Sequence, residues 1–324
     1  MTTVRTPEGK GIPMMSQPNA PAGAAGPSSA APRLNPPIIA AVDGSAASHH
    51  AVAWAAVDAG LRRCPLQIVT SIAVPGTFGP GPVLSDAAGQ RLRVEGEQVL
   101  TEAARTARSA VAGETVAIGT EVVDRPIVPE LIDRSPHVRM LVVGNRGLGA
   151  YRRELLGSVS SAVIRRAHCP VAVVSSAAAT NAGSAHKPVL VGVDGTANSM
   201  PAIQLAFEEA SWRKVGVVAL HAWNDTGGTV LPSEGGAVTR QQEDELLAER
   251  LAGFGERYPD VSVRRALVRD RPVRSLLAEA EYAQLIVTGS HGRGGFTGML
   301  LGSTSAALLP SVECPMIVVR DGRV

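Results

Sequence analysis

The sequence predicts an α/β protein: two tandem Rossmann-like domains, each an open five-stranded parallel sheet with helices on both faces. Three observations carry this. Short apolar runs such as "PIIAAVD" from Pro37 read as strands buried on both faces, as parallel sheets require. These runs alternate with helical segments, the order of βαβ units. The whole pattern then occurs again: "IIAAVDGSAASHHAVAWAAVDA" from Ile38 matches "VLVGVDGTANSMPAIQLAFEEA" from Val189. A repeat of this length is a domain, not a solenoid unit.

In the first repeat, "ASHHAVAWAAVDAGLRR" follows the first strand with helical spacing and propensity. "PLQIVTSIAV" reads as the second strand, and Asp86 to Val111 as a long helix, polar on one side. "TVAIGTEVV" is the third strand. "IVPELIDRS" is a short helix that Pro126 starts and Asp124 can cap. "VRMLVVG" is the fourth strand, Ser158 to Ala167 a helix, and "PVAVVS" the fifth strand. The second repeat gives the same order. Its long helix is expected over Thr239 to Arg257, with Leu247, Leu251 and Phe254 as the inward stripe. "VVDRP" at Val122 matches "LVRDRP" at Leu267, which pairs Asp124 with Asp270. "HCPVAVV" at His168 and "ECPMIVV" at Glu313 close the two repeats.

The domains are expected at 35–175 and 188–324. Residues 1–34 are rich in Pro, Gly, Ala and Ser and bury too little apolar surface to offset ordering; they read as a disordered tail. Residues 176–187 read as a flexible linker.

The chain has 324 residues, 45% hydrophobic and 19% charged, which is ordinary for globular domains. Aromatics are 3%, so the cores must rest on Ala, Val, Leu and Ile. The net charge is +2 with no basic block, which argues against a nucleic-acid partner. No apolar run has membrane length and no leader segment is evident, so a cytoplasmic protein off the membrane is expected. Cys64, Cys169 and Cys314 form no C-x-x-C pair and read as reduced structural thiols.

The chemistry concentrates in "GNRGLGAYRRELLGS" from Gly144 and "GSHGRGGFTGMLLGS" from Gly289, which share G-x2-G-x9-G-S. The first glycine ends the fourth strand; the last glycine and the serine open the fourth helix. Ligands of open α/β sheets sit beyond the strands' carboxyl ends, where the strand order reverses. A helix start there offers free N–H donors and partial positive charge. Glycine admits a ligand close to the backbone, and serine can cap the helix or donate to an oxygen anion. The pattern suits a phosphate chain, held by Gly144, Gly147, Gly157 and Ser158, and again by Gly289, Gly292, Gly302 and Ser303.

Asp43 and Asp194 end the first strand of each repeat. A carboxylate there accepts hydrogen bonds from ribose or a purine amino group and repels phosphates, so it belongs at the nucleoside end. A turn or capping role for the same Asp-Gly pair stays open. Arg146, Arg152, Arg153 and Arg293 flank the glycines. His291 faces Arg146 in the alignment, so the repeats share no catalytic histidine. No Walker GxxxxGK[ST], no GxGxxG after the first strand and no nucleophile–base–acid trio is present. No catalytic residue is assigned. His49 and His50 diverge on their helix, and no metal cage of protein ligands is expected.

Together the "VDGS" and "VDGT" strand ends, the two glycine loops and the "CPV" and "CPM" strand entries resemble the universal stress protein family in its tandem actinobacterial form. The resemblance covers about 36–175 and 187–321. It implies a strand order of 3-2-1-4-5 with the ligand between strands one and four. It implies ATP, with Mg2+ or Mn2+ on its phosphates. Asp43 and Asp194 would then lie on the adenosine side, the glycines with Ser158 and Ser303 around ribose and phosphates, and Ser160 and Ser305 behind the phosphates. It also implies pairing of fifth strands, in a homodimer or an intrachain pseudo-dimer. The implied role is regulatory, in stress, hypoxia or dormancy, with slow or no hydrolysis and an unknown regulatory protein partner. A weak ATPase or nucleotidyl-transfer enzyme, and an interaction scaffold with empty sites, stay open as alternatives.

Overall fold

The computed structural model describes residues 1, 3, 35–73, 85–113, 115–145, 157–175, 182–223, 240–292 and 301–320. The chain divides into Met1–Leu34 and Asn35–Val324. Nearly all of the first unit, including the expected disordered tail, lies outside the described residues.

The first repeat runs β1 (Ile38–Ala41), α1 (Ala46–Arg62), β2 (Leu66–Ser71), α2 (Asp86–Ala110), β3 (Ile118–Val123), α3 (Ile127–Arg134), β4 (Met140–Gly144), α4 (Ser158–Arg166) and β5 (Val171–Val174). The second runs β6 (Val189–Val193), α5 (Met200–Arg213), β7 (Val217–Trp223), α6 (Arg240–Leu251), α7 (Phe254–Arg257), β8 (Val263–Arg269), α8 (Pro272–Ala280), β9 (Leu285–Gly289), α9 (Ser303–Leu308) and β10 (Met316–Val319).

These ten strands form one sheet, in the order β3-β2-β1-β4-β5-β10-β9-β6-β7-β8. The expectation of two separate five-stranded sheets is corrected. Within each repeat the order is 3-2-1-4-5 and every pairing is parallel. The repeats join through β5 and β10, which pair antiparallel with Met316 opposite Val173 and Val318 opposite Val171. The physical reason lies in the strands themselves. All four residues of β5 and all four of β10 are buried. An apolar strand left as a sheet edge would template aggregation; pairing the two removes both edges.

Helix α1 shows how local sequence sets an element. The Ser45 hydroxyl caps its start, accepting from the Ser48 N–H at 3.2 Å. It ends where Arg63 turns left-handed at φ 50°. Ala51, Ala55 and Ala59 face the sheet and are fully buried, so small side chains let the helix approach closely.

Where α1 meets α5, four charges close a ring. Arg62 Nε donates to Asp58 at 2.7 Å, and Arg62 Nη2 pairs with Glu209. Arg213 pairs with Asp58 at 2.7 Å and with Glu209 at 3.0 Å. Asp58 and Arg62 stand in α1 as Glu209 and Arg213 stand in α5. Both carboxylates are fully buried. Arg62 lies over Trp212, 4.2 Å from the ring centroid, and Arg213 lies 5.4 Å from that of Trp54. Burial, followed by the neighbouring Asp58 carboxylate, pushes the Glu209 carboxyl up to about 7, against the pull of Arg62 and Arg213.

Two sequence expectations need correction. The long helix of the second repeat breaks into α6 and α7 at Gly253, whose φ of 81° no right-handed helix accommodates. Leu247, Leu251 and Phe254 still face the core. In the described part of the linker, Ala182–His186 forms a 3-10 turn, and Gln284 Nε2 donates to Ala185 O at 2.9 Å. Asp124 does not cap α3; it pairs with Arg93 at 2.7 Å, and Pro126 holds the cap position without a side-chain bond. The second repeat also carries one extra residue at this turn, because β8 extends to pair Arg269 with Trp223. The cysteines are unpaired, and burial pushes the Cys169 and Cys314 thiols up to about 12, consistent with structural roles. No described helix is long and apolar enough to cross a membrane.

Replacing Arg62 by Met leaves Asp58 and Glu209 short of a buried partner and should cost about 3–5 kcal/mol in denaturant unfolding. Arg93→Ala, at an exposed pair, should cost less than about 1 kcal/mol. The Glu209 carboxyl is raised from 4.5 to about 7, so its stabilising contribution is complete below 4.5 and lost as the pH rises through about 7. Urea unfolding over that range should show a flatter pH dependence for Glu209→Gln than for the unsubstituted protein.

Candidate functional site

A cleft of about 350 Å³ opens at the carboxyl ends of β6 and β9. These are the neighbouring strands whose connections depart in opposite directions, the place where open α/β sheets bind ligands. One wall is the end of β6, with Gly192, Val193 and Asp194. The opposite wall is the end of β9 and the loop after it, with Thr288, Gly289, His291 and Gly292. Leu220, Ala222, Pro272 and Leu276 make an apolar side. Gly302, Ser303, Thr304 and Ser305 close the far end.

The glycines divide their work. A Cβ on Gly292 would sit 3.3 Å from Asp194 Oδ2, across the mouth of the cleft. This glycine keeps the opening clear. Gly302 holds the cap position of α9, and its Cβ would meet the Ser290 carbonyl oxygen at 3.2 Å. Gly144 serves packing: a Cβ there would meet the Ala47 backbone carbon at 2.9 Å and the Ser48 nitrogen at 3.0 Å. The end of β4 can approach the start of α1 only without a side chain. Gly289 is similarly tight, 3.3 Å from the Asn198 and His291 carbonyl oxygens.

Ser158 and Ser303 are exposed first residues of α4 and α9; the caps are Gly157 and Gly302, with no side-chain bond. Of the two roles open to these serines, capping is not the one taken, and Ser303 lines the cleft. Ser160 and Ser305 are buried. Ser160 Oγ donates to Gly157 O at 3.0 Å, and Ser305 Oγ donates to Gly289 O at 2.8 Å. Ser305 thereby ties the start of α9 to the end of β9, and it also lines the cleft.

Asp43 and Asp194 each close an Asx turn. Asp43 Oδ1 accepts from the Ser45 N–H at 3.0 Å and the Ser45 hydroxyl at 2.6 Å. Asp194 Oδ1 accepts from the Thr196 N–H and hydroxyl, both at 2.8 Å, and from the Ser199 hydroxyl. The turn role left open by the sequence is thus filled, and the carboxylate also reaches the cleft in the second repeat.

A family model for the universal stress protein family matches residues 35–175 and 185–320. The chain belongs to the universal stress protein family. Universal stress protein Rv2005c of Mycobacterium tuberculosis is 43% identical over 291 residues, covering 90% of this chain and 99% of the relative. Universal stress protein Rv2623 of the same organism is 39% identical over 285 residues, covering 88% and 96%. The crystal structure of a universal stress protein from Archaeoglobus fulgidus DSM 4304 superposes with a TM-score of 0.65 at 21% identity, over 89% of this chain and 97% of that one. The two share the fold.

In this universal stress protein the second repeat brings Asp194, Gly289, Gly292, Gly302, Ser303 and Ser305 to one cleft. In the first repeat, Asp43 ends up beside β4 and its Gly144, with Gly157, Ser158 and Ser160 at the helix start. Gly147, with Arg146, Arg152 and Arg153, lies outside the described residues, as does Arg293. Two kinds of residue escaped the sequence reading. Ser48 and Ser199 brace the aspartates: the Asp194 N–H donates to Ser199 Oγ at 2.9 Å, and the Asp43 N–H to Ser48 Oγ at 3.4 Å. Their signal was present, since "VDGSAAS" and "VDGTANS" place a serine alike after each aspartate. Thr288 also lines the cleft, its hydroxyl 3.2 Å from Ser305 Oγ. Its repeat-one counterpart is Val143, so repetition could not reveal it.

Gly144→Ala should destabilise the protein by about 1–3 kcal/mol, because strand and helix backbones must part. Gly192→Ala should lie within about 0.5 kcal/mol, since the nearest atom is 3.4 Å from the added Cβ and repeat one carries Ala41 there. Thermal unfolding of the two variants separates a packing glycine from a cleft glycine.

Proposed function

We propose that the protein binds ATP, one molecule per repeat, and acts as a regulatory nucleotide-binding protein in stress, hypoxia or dormancy with slow or no hydrolysis. The observation that carries the reading is the cleft of the second repeat. At one opening it joins a carboxylate, an apolar side and a glycine-framed helix start. The volume of about 350 Å³ lies within the range of small-ligand sites.

The direction of the nucleotide follows from charge. Asp194 repels phosphates and accepts hydrogen bonds from ribose hydroxyls or a base amino group. The apolar side chains of Leu220, Ala222 and Leu276 suit a purine face. The phosphates then run toward Gly292, Gly302 and Ser303. The space that a Gly292 Cβ would fill fits a close approach of phosphate to backbone. In the first repeat Asp43, Gly144, Gly147, Gly157 and Ser158 take the matching roles.

A divalent cation, Mg2+ or Mn2+, would accompany the phosphates and neutralise part of their charge. Among the described residues no group of three or more His, Cys, Asp or Glu could hold a metal ion. Among the described residues, Ser303 and Thr304 bring hydroxyl oxygens to that end. Slow turnover fits the side chains present: Asp194 is engaged by Thr196 and Ser199, and the Ser290–His291 contact of 2.9 Å exists in one repeat only. The regulatory reading implies a protein partner that responds to the nucleotide state.

Calorimetric titration should give two ATP per chain. Gly147→Ala and Gly292→Ala should each remove one, and the double variant both. Full ATP stoichiometry in the double variant would exclude this reading. Turnover above about one per minute, lost in Asp43→Ala or Asp194→Ala, would replace the regulatory reading with an ATPase.

A further inference from the structure

Beneath the second cleft lies a buried histidine–glutamate pair that the first repeat lacks. His221 sits in β7 between Leu220 and Ala222, whose side chains line the cleft. Strand alternation turns the imidazole to the opposite face, under α6. Its Nδ1 is 2.7 Å from the Val193 carbonyl oxygen and its Nε2 is 2.6 Å from Glu243 Oε2. His221 is fully buried and Glu243 is 7% exposed. Val193 immediately precedes Asp194. Helix α6 grips the same strand end a second time, where Arg250 Nε donates to Gly195 O at 3.0 Å.

The first repeat solves the same problem without a titratable group. Thr70 takes the place of His221, and its hydroxyl donates to the Val42 carbonyl at 2.9 Å. The α2 residue facing Thr70 is Gly96, whose Cβ would lie 3.4 Å from Thr70 Cγ2. The Asp-Gly turn rests on an apolar group: a Cβ on Gly44 would lie 3.4 Å from Val99 Cγ2.

Hydrogen-bond chemistry fixes the proton count of the pair. A carbonyl oxygen only accepts, so Nδ1 carries a proton. At 2.6 Å the contact between Nε2 and Oε2 needs a second proton between them, on one atom or the other. Removing it sets a nitrogen lone pair against a buried carboxylate, which costs free energy that moving α6 away would relieve. That movement would loosen the Val193–Asp194–Gly195 turn at the cleft wall.

Among the described residues, the elements packed around this face also carry Arg250 on α6, Asp194 at the end of β6, and Arg265 and Arg269 on β8. Arg265 faces Asp244 at 3.6 Å, and Arg269 lies 5.4 Å from the Trp223 ring centroid. Glu209 and Arg213 of α5 belong to the ring between the repeats.

We propose that His221 and Glu243 are positioning residues of the second cleft and make nucleotide capture there depend on a proton, while capture in the first cleft does not. The inference rests on the nucleotide reading above. Rising pH removes the shared proton and weakens the second cleft.

The test is calorimetric titration with ATP and Mg2+ from about pH 6 to about pH 9. Asp43→Ala protein reads the second cleft, and Asp194→Ala protein reads the first, which controls for titration of ATP itself. The second-cleft Kd should rise at least about tenfold over the range, against less than about threefold for the first. Glu243→Gln in the Asp43→Ala background keeps a hydrogen bond to Nε2 through its amide and should flatten the profile. Should that variant not fold, His221→Thr with Glu243→Gly reproduces the first repeat and should be equally flat. The imidazole ¹⁵N shifts of His221 should report loss of the shared proton over the same range. Parallel profiles in the two clefts, or an unchanged profile in both sets of variants, would overturn the inference while leaving nucleotide binding intact. No ATP bound at any pH would overturn the nucleotide reading and the inference with it.

Discussion

The antiparallel pairing of β5 with β10 is the contact on which the rest of the molecule depends. Each strand is buried at all four positions and would otherwise be an apolar sheet edge. Pairing them antiparallel makes the strand order read alike from either end. It also reverses the strand direction between the repeats, so the carboxyl ends of their parallel strands, and the switch points with them, face opposite edges of the sheet. Hydrophobic strands alone specify register loosely, because Val against Val differs little from Val against Ile. The ring of Asp58, Arg62, Glu209 and Arg213 joins α1 to α5 across the same seam. Its four charges are all matched in the arrangement that sets α1 against α5, and a slip would strand them in the core.

On this shared frame the two repeats keep the same backbone solutions and change the fillings. Both end their first strand in an Asx turn closed by a serine or threonine, and both place a glycine where the fourth strand touches the next layer. The differences lie at second contacts. Ala41 becomes Gly192, Val143 becomes Thr288, and Thr70 against Gly96 becomes His221 against Glu243. The second repeat thereby carries a smaller residue at Gly192 and more polar side chains at Thr288, His221 and Glu243. Its α6 is fastened to the Asp194 turn by two polar links, where α2 meets the Asp43 turn with the methyl groups of Val99.

The repetition in the sequence made most of the fold legible. Apolar runs at "IIAA" and "VLVGV" could only be strands of a covered parallel sheet, and the alanines of α1 marked a helix lying on it. The aspartates and the glycine frame were legible because both repeats carry them with the same spacing. What the two copies do not share stayed hidden, and this holds for Thr288, for His221 with Glu243, and for the break at Gly253. Such residues are chosen by neighbours distant in the chain, and a repeat-to-repeat comparison shows only that they differ. The division of labour among the glycines was equally invisible, since Gly144 and Gly292 look alike in the motif. Only the distance to the Ala47 backbone or to the Asp194 carboxylate separates them.

The sequence by itself determined the βαβ order, the two repeats and the residues that end the first and fourth strands. Those features follow from hydrophobic period, helix propensity and glycine, which act over a few residues at a time. Only the tertiary structure decided that the repeats share one sheet, that Asp58 and Arg62 in α1 meet Glu209 and Arg213 in α5, and that His221 lies under Asp194. Each of these is a contact between segments far apart in the chain. Its free energy depends on burial and distance, neither of which exists until the chain has folded.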